Sequence, residues 1–411
     1  MSLREDADRI IKASIQAVLP DEAVRAALQN KEFGNGRIFM VAAGKAAWQM
    51  AKTAADLLGE RLSAGVVVTK YDHVKGEIPA TQCFEAGHPV PDENSFKGTQ
   101  AALDLVGGLT AEDTVLFLLS GGGSALFEKP LIPGEELTDV TQQLLACGAD
   151  IVEINTIRKR LSAVKGGRFA LACEPARVYS IVLSDILGDP LDMIASGPAY
   201  PDSSTCADAV RIAEKYGLRL SGKAQALLRQ ETPKELRNVK TQITGSVVGL
   251  CMAASCAAQE LGYRPIILTD QLSCEAREAG AFLAAIAKTY QNTKESLAFI
   301  AGGETVVHLT GKGKGGRNQE LALAAAEGIA GLNDTAVFSV GSDGTDGPTD
   351  AAGGYCDQET KEKLVSRGIS IYDVLQDNDA YHALQKVDGL IITGATGTNV
   401  NDVAALLIKR T

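Results

Sequence analysis

Short apolar runs alternate with stretches of helical spacing along most of the chain. Ile11, Ile15, Val18 and Leu19 recur at helical spacing over residues 4–19, up to Pro20, and Asp21 is suited to cap a second helix through Asn30. The run RIFMVAAG (37–44) reads as a buried strand, AAWQMAKTAADLLGERL (46–62) as a helix and AGVVVTK (64–70) as a second strand. Together they make one βαβ unit whose first turn is Gly44-Lys45. A weaker strand (81–86), a helix (92–106), the strand TVLFLLS (114–120), a helical stretch (137–173) and the strand RVYSIVLSD (177–185) continue the pattern. Such alternation predicts an α/β fold with a doubly wound parallel sheet.

The segment GPAYPDSSTC (197–206) interrupts this order, and ETPKELRNVK (231–240) reads as a seam between domains. We therefore expect an N-terminal domain over 1–235 and a C-terminal domain over 236–411. Strand signals resume at TQITGS (241–246), PIILTD (265–270), LAFIAGG (297–303), TAVFSVGSD (335–343) and GLIITGAT (389–396), with helical stretches among them. The second domain is thus α/β as well. No short-period repeat is present, which excludes a solenoid.

Charge narrows the choice of partner. The chain has 40 Lys and Arg against 51 Asp and Glu, a net charge of −11. That balance argues against a nucleic-acid or anionic-membrane surface. No run of 18 apolar residues and no leading signal segment is present, and the eight cysteines are scattered without metal-ligand spacing. A reducing, cytoplasmic setting is expected, with a monomer or homodimer as the assembly. Local basic turns stand out against this acidic background.

The most conspicuous is GGETVVHLTGKGKGGRNQE (302–320), where a strand run leads through a short β-branched run and a Gly-Lys loop into a helix opened by Arg317. Backbone N–H groups and a helix N-terminus in that order suit an anion. Lys45, directly after a strand at a helix start, is electrostatically misplaced unless an anion shares the turn. Ser120-Gly121-Gly122-Gly123-Ser124 follows a buried strand and offers a backbone cradle for phosphate or carboxylate, without the spacing of a nucleophile elbow. In EINTIRKRLSAVKGGRFA (153–170), Asn155, Arg158, Lys159, Ser162 and Lys165 fall at spacings that let several share a helix face. Asp185, Asp189 and Asp192 follow a strand, and Asp343, Asp346 and Asp350 lie among glycines; either set offers carboxylates to Mg²⁺ or a hydroxyl. Asn399, Asn401 and Asp402 lie in a last strand-end turn. There is no P-loop motif, whereas Gly311-x-Gly313-x-x-Gly316 matches the dinucleotide fingerprint without a clearly placed ribose-binding acid.

Taken in order, GKAAWQMA, VVTKYDH, EAGHPVPDENS, FLLSGGGSALF, EINTIRKRLSAVKGGRFA, VLSDILGDPLDMIASGP, GGETVVHLTGKGKGGRNQELALA, GSDGTDGPTDAAGG and TGTNVND resemble the glycerate 2-kinases with a MOFRL domain. Ala125 departs from that pattern, where a further serine is expected. The resemblance implies a Rossmann-like N-terminal domain, a MOFRL α/β domain and an active site in the cleft between them. It also implies transfer of the γ-phosphoryl of ATP to the 2-hydroxyl of D-glycerate with Mg²⁺. Lys45 and Arg317 match the family's essential cations, and Asp189 is the candidate for orienting the hydroxyl. Ser120, Gly121, Gly122, Gly123, Ser124, Asn155, Arg158, Lys165, Gly303, Glu304, Gly315, Gly316 and Asn318 are the expected substrate and nucleotide contacts, and Asp185 and Asp343 the expected metal ligands. His88 reads as a loop-structuring residue. The alternative, an NAD(P)H-dependent hydroxypyruvate reductase, rests on the glycine fingerprint.

Overall fold

The computed structural model describes residues 2–188 and 190–410, which form two compact units. Residues 23–184 and 190–244 make up the first, built on a six-stranded sheet. Its strands are β1 (Ile38–Ala43), β2 (Leu62–Lys70), β3 (Thr81–Ala86), β4 (Thr114–Leu119), β5 (Arg177–Leu183) and β6 (Val239–Gly245). They lie in the order β3-β2-β1-β4-β5-β6. The pairs of β1 with β2 and β4, of β2 with β3 and of β4 with β5 are parallel, as expected. Every residue of β1 and β4 is buried, so these strands read as continuous apolar runs, whereas the edge strands β3 and β6 are largely half-exposed. Met40, Ala42, Leu116, Leu118 and Ile181 share one core with Met50 and Ala54 of the helix Ala47–Leu58. Each large apolar side chain buried there stabilises the fold by about 1.5–3 kcal/mol.

The other unit joins residues 2–22, 185–188 and 245–410. Its sheet comprises β7 (Arg264–Leu272), β8 (Leu297–Gly303), β9 (Thr335–Gly341), β10 (Gly353–Asp357), β11 (Leu390–Ile391) and β12 (Asp402–Ile408), in the order β11-β10-β9-β12-β8-β7. Only β7 and β8 run parallel; β12 is antiparallel to both β8 and β9, and β10 to both β9 and β11. This sheet is therefore mixed.

Compared with the expected division at 235/236, two segments change sides. Residues 236–244 carry β6, the edge of the first sheet, with Val178 N–H of β5 donating to Asn238 O at 2.7 Å just before it. The helix Leu3–Ala17 groups with the second sheet, burying Ala7, Ile10, Ile11 and Ile15 against Val247, Leu250 and Phe338. Ser2 caps it in a capping box with Glu5, and Tyr263 donates to its buried Asp6 at 2.7 Å.

Local readings shift too. Pro20 starts the helix Pro20–Leu28, where a missing N–H costs nothing. The 137–173 stretch divides into the helices Gly134–Ala146, Ile151–Leu161 and Arg168–Ala172, with Gly148, Gly166 and Gly167 at positive φ in the breaks. The β-branched run over 305–310 adds no strand to the sheet. Extended residues need a partner edge, and only Val306 finds one, a single bridge to Glu275.

Candidate active site

The order of the first sheet reverses between β1 and β4, and in open parallel sheets ligands bind outside the carboxyl ends of strands at such a point. Those ends carry Gly44-Lys45 and Ser120–Ser124. The two turns are laced together: Lys45 N–H donates to Gly121 O at 2.9 Å, Ala46 N–H to Ser120 Oγ at 3.0 Å and Ser120 N–H to Ala43 O at 3.0 Å. Gly122 is left-handed, with φ +82°. A Cβ there would stand 3.0 Å from the Cδ2 and Nε2 of His88 and 3.2 Å from Lys45 Cε. Only glycine leaves room for both side chains over that turn. Lys45 makes no ion pair with a carboxylate among the described residues.

The helix Ile151–Leu161 holds this turn from below. Arg158 Nη2 donates to Ser124 O at 3.0 Å, and Asn155 Oδ1 accepts from Ser196 Oγ at 2.8 Å, which lies 3.1 Å from Ser124 Oγ. Lys165 reaches the same carbonyl at 2.9 Å, with Phe127 O at 3.0 Å and Glu128 Oε2 at 3.1 Å. An ammonium has three N–H groups, and these partners surround it. Lys165 and Glu128 are fully buried; burial lowers the Lys165 pKa to about 8, against the opposing pull of Glu128. Burial likewise lowers the Arg158 pKa. Lys165 is thus turned inward as a support for the cradle, not placed to meet a ligand. Lys159, from the same basic stretch, faces away and pairs with buried Asp202 at 3.0 Å.

In the other unit, Arg317 opens the helix Arg317–Ile329 as expected. Its guanidinium grips Asp402 with Nε at 2.6 Å and Nη2 at 3.0 Å, while Nη1 donates to Glu304 Oε1 at 2.6 Å. Asn401 Nδ2 holds the other Glu304 oxygen at 3.2 Å. Burial alone would disfavour the Arg317 charge, but the two carboxylates outweigh it and raise its pKa. Burial raises the Asp402 pKa despite the arginine. Asn318 is buried and accepts from Ser339 Oγ at 2.6 Å. Gly303 backs onto the end of β7, where Glu304 N–H donates to Leu272 O at 2.8 Å.

The Gly-Lys loop differs from its expectation. Thr310 and Gly311 N–H donate to Asn378 Oδ1 at 2.7 and 2.9 Å, Lys312 N–H to Asp377 Oδ1 at 3.0 Å, Gly313 N–H to Asp377 O at 2.8 Å and Lys314 N–H to Asp379 Oδ1 at 2.9 Å. The N–H groups of residues 310–314 are thus spent on the 377–379 segment. The helix N-terminus is occupied as well, since Asp346 accepts from Asn318 N–H at 3.2 Å and Gln319 N–H at 2.9 Å. A Cβ on Gly316 would collide with that carboxylate, so Gly315 and Gly316 serve a close approach of chain segments. Burial raises the Asp346 pKa to about 6 against those two N–H groups. The dinucleotide fingerprint fails for the same reason, and the helix is separated from β8 by the whole 304–316 loop.

Of the expected metal ligands, Asp343 is half-buried, with Oδ1 accepting from Thr345 N–H at 2.9 Å, and Asp185 is half-buried with partners of its own. Asp189 lies outside the described residues. No three His, Cys, Asp or Glu gather into a metal cluster among the described residues. Mg²⁺ bound through substrate phosphates needs only one or two carboxylates, so this donor set fits that mode and not an all-protein cage. Sequence reasoning missed Glu128, the 377–379 acceptors and the approach of His88 to Gly122. Only the last had a signal, a histidine directly after a strand end. No helix among the described residues is long and apolar enough to cross a membrane.

Residues 6–229 match a domain of unknown function (DUF4147), and residues 297–402 match the MOFRL family. The chain is 52% identical to the D-glycerate 2-kinase of Thermotoga maritima, over 99% of both chains. It aligns with the crystal structure of glycerate kinase from Thermotoga maritima at a TM-score of 0.95, covering 99% of each. The glycerate 2-kinase of Pyrococcus horikoshii is 39% identical over 99% of this chain and 98% of that one. A relative from Agrobacterium vitis, 38% identical over 99% and 95%, is named a putative hydroxypyruvate reductase.

Proposed function

The chain belongs to the glycerate 2-kinase family that carries a MOFRL domain, and from that premise we infer that it phosphorylates D-glycerate. The γ-phosphoryl of ATP passes to the 2-hydroxyl, giving 2-phospho-D-glycerate and ADP. The substrate oxygen forms a new bond to phosphorus, the bridging P–O bond to ADP breaks and the hydroxyl proton is released. Such a transfer asks the protein mainly for positioning and for cations near the developing charge. The observation that carries the site reading is Lys45, a cation without a counter-ion among the described residues, over the Gly122 turn at the switch point.

In this reading Lys45 and Arg317 each stabilise charge on the transferring group. Ser120–Ser124 hold an anionic group of one substrate, with Asn155 and Arg158 orienting the turn. Glu304 and Asn318 set the Arg317 side, and Asp189 orients the 2-hydroxyl. Mg²⁺ entering with ATP neutralises phosphate charge, and Asp343 with Asp185 would supply its protein oxygens. The eight unpaired cysteines support a reducing, cytoplasmic setting.

Phosphorus NMR of the protein with D-glycerate, ATP and Mg²⁺ tests the reaction. A 2-phosphoglycerate resonance growing with ADP is expected. A 3-phosphoglycerate resonance would refute the regiochemistry, and unchanged ATP beside NADH consumed on hydroxypyruvate would transfer the case to the reductase.

A further inference from the structure

His88 lies just beyond β3, as Lys70 ends β2, Lys45 follows β1 and Ser120 follows β4. Four neighbouring strands of a parallel sheet thus deliver two lysines, an imidazole and a hydroxyl to the same edge. The imidazole reaches the Gly122 turn, where a Cβ would meet its Nε2 and Cδ2 at 3.0 Å and Lys45 Cε at 3.2 Å. His73, after β2, completes the group. Burial lowers the His88 pKa first, and then the charges of Lys45, Lys70 and His73 each lower it further. Lys45, Lys70, His73 and His88 are half-buried, and none of their side chains pairs with a carboxylate among the described residues.

A loop-structuring histidine would spend its ring nitrogens on the protein, as His73 does with Nδ1 3.0 Å from Tyr71 O. The His88 ring has no such partner among the described residues. Half-buried like charges without a counter-ion repel one another, and an arriving anion relieves that repulsion.

We propose that His88 is a binding residue, donating from Nε2 to an anionic oxygen of a substrate beside Lys45. The class of ligand is a carboxylate or phosphate oxygen; its assignment to D-glycerate or ATP rests on the kinase reading, whereas binding of an anion does not. Once bound, the anion stabilises the imidazolium and raises the His88 titration.

Ring-nitrogen NMR tests this, since the chain has only four histidines and His308 and His382 lie in the other unit. D-glycerate, ADP and inorganic phosphate are added separately at saturating concentration. We expect the His88 midpoint to rise by roughly one pH unit with at least one of them, while His308 and His382 stay put. No movement with any of the three overturns the proposal. His88→Gln, checked for an unchanged melting temperature, is expected to raise one KM by about tenfold and to lower kcat less. A rise for D-glycerate assigns the carboxylate, a rise for ATP assigns the phosphate, and two unchanged KM values overturn the proposal. Wild-type protein that makes no phosphoglycerate yet shows the His88 shift would sink the kinase reading and keep the anion site.

Discussion

Two glycine-rich basic turns, one in each unit, look alike as sequence and differ as chemistry. Around Gly122 the Lys45 ammonium has no counter-ion among the described residues, and the turn's carbonyls are held from behind by Arg158 and Lys165. In the other unit, the 310–314 part of the Gly-Lys loop already has its partners. Its N–H groups bind Asp377–Asp379, the following helix is capped by Asp346, and Arg317 is clasped by Asp402 and Glu304. Glycine and lysine therefore mark close backbone approach in both places, but the cations differ: Arg317 is paired with carboxylates, and Lys45 pairs with none among the described residues. What distinguishes them is where the nearest internal carboxylate lies.

Replacing the two cations should expose the difference most strongly. We expect Lys45→Ala and Arg317→Ala each to lower kcat by about 10²–10³-fold. Only Arg317→Ala should also destabilise the fold, by about 2–4 kcal/mol, because it strands buried Asp402. Steady-state kinetics beside thermal melting checks both halves. A melting loss in Lys45→Ala would erase the contrast.

The support beneath the first turn comes next. Glu128→Leu should cost about 3–5 kcal/mol, leaving the Lys165 ammonium buried alone. Glu128→Leu with Lys165→Met should recover most of that stability while kcat/KM stays at least fivefold down, since Ser124 O has lost a donor. Full recovery of both would make the pair purely structural.

Asp346 gives the second unit a pH signature. Folding raises its carboxyl pKa from the usual Asp range to about 6, so between about pH 4 and 6 the folded protein holds a proton that the unfolded chain has released. Its contribution to stability is therefore present below that window and lost as pH rises through it, by about 3 kcal/mol at most. Asp346→Asn should gain on wild type between pH 4 and pH 6.5 in calorimetry. An equal offset at both pH values would remove this carboxyl from the account.

The smallest effect should come from Asn378→Ala, which frees Thr310 and Gly311 N–H. A loss of about 1–3 kcal/mol with the ATP KM within twofold is expected. A several-fold KM change would return the loop to the nucleotide.

Much of the first unit was legible in the sequence. Its strands are buried parallel runs, and the turns after 43 and 119 advertise themselves by Gly-Lys and Ser-Gly-Gly-Gly. The second was harder to read for identifiable reasons. The acceptors of the Gly-Lys loop lie more than sixty residues downstream, so no local window reveals that its donors are spent. β12 was overlooked because AALLI, a short apolar run, suits a buried strand or a helix equally. Spacing placed Asn155 and Arg158 on one helix face but gave no direction for Lys165, beyond the helix end. The 231–240 seam misled because β6 is a half-exposed edge strand with weak apolar character.

The position of β12 also sets a timetable for biosynthesis. The strand at 402–408 pairs with β8 and β9 on its two sides, so that sheet has no centre until residues 402–408 leave the ribosome. The first sheet is finished by residue 245 and is free to fold much earlier. Meanwhile the helix at 3–17 waits with Ile10, Ile11 and Ile15 uncovered until Val247 and Leu250 emerge. A nascent chain stalled shortly before 402 would thus carry one mature domain beside two open strand edges, those of β8 and β9, onto which another extended segment could add.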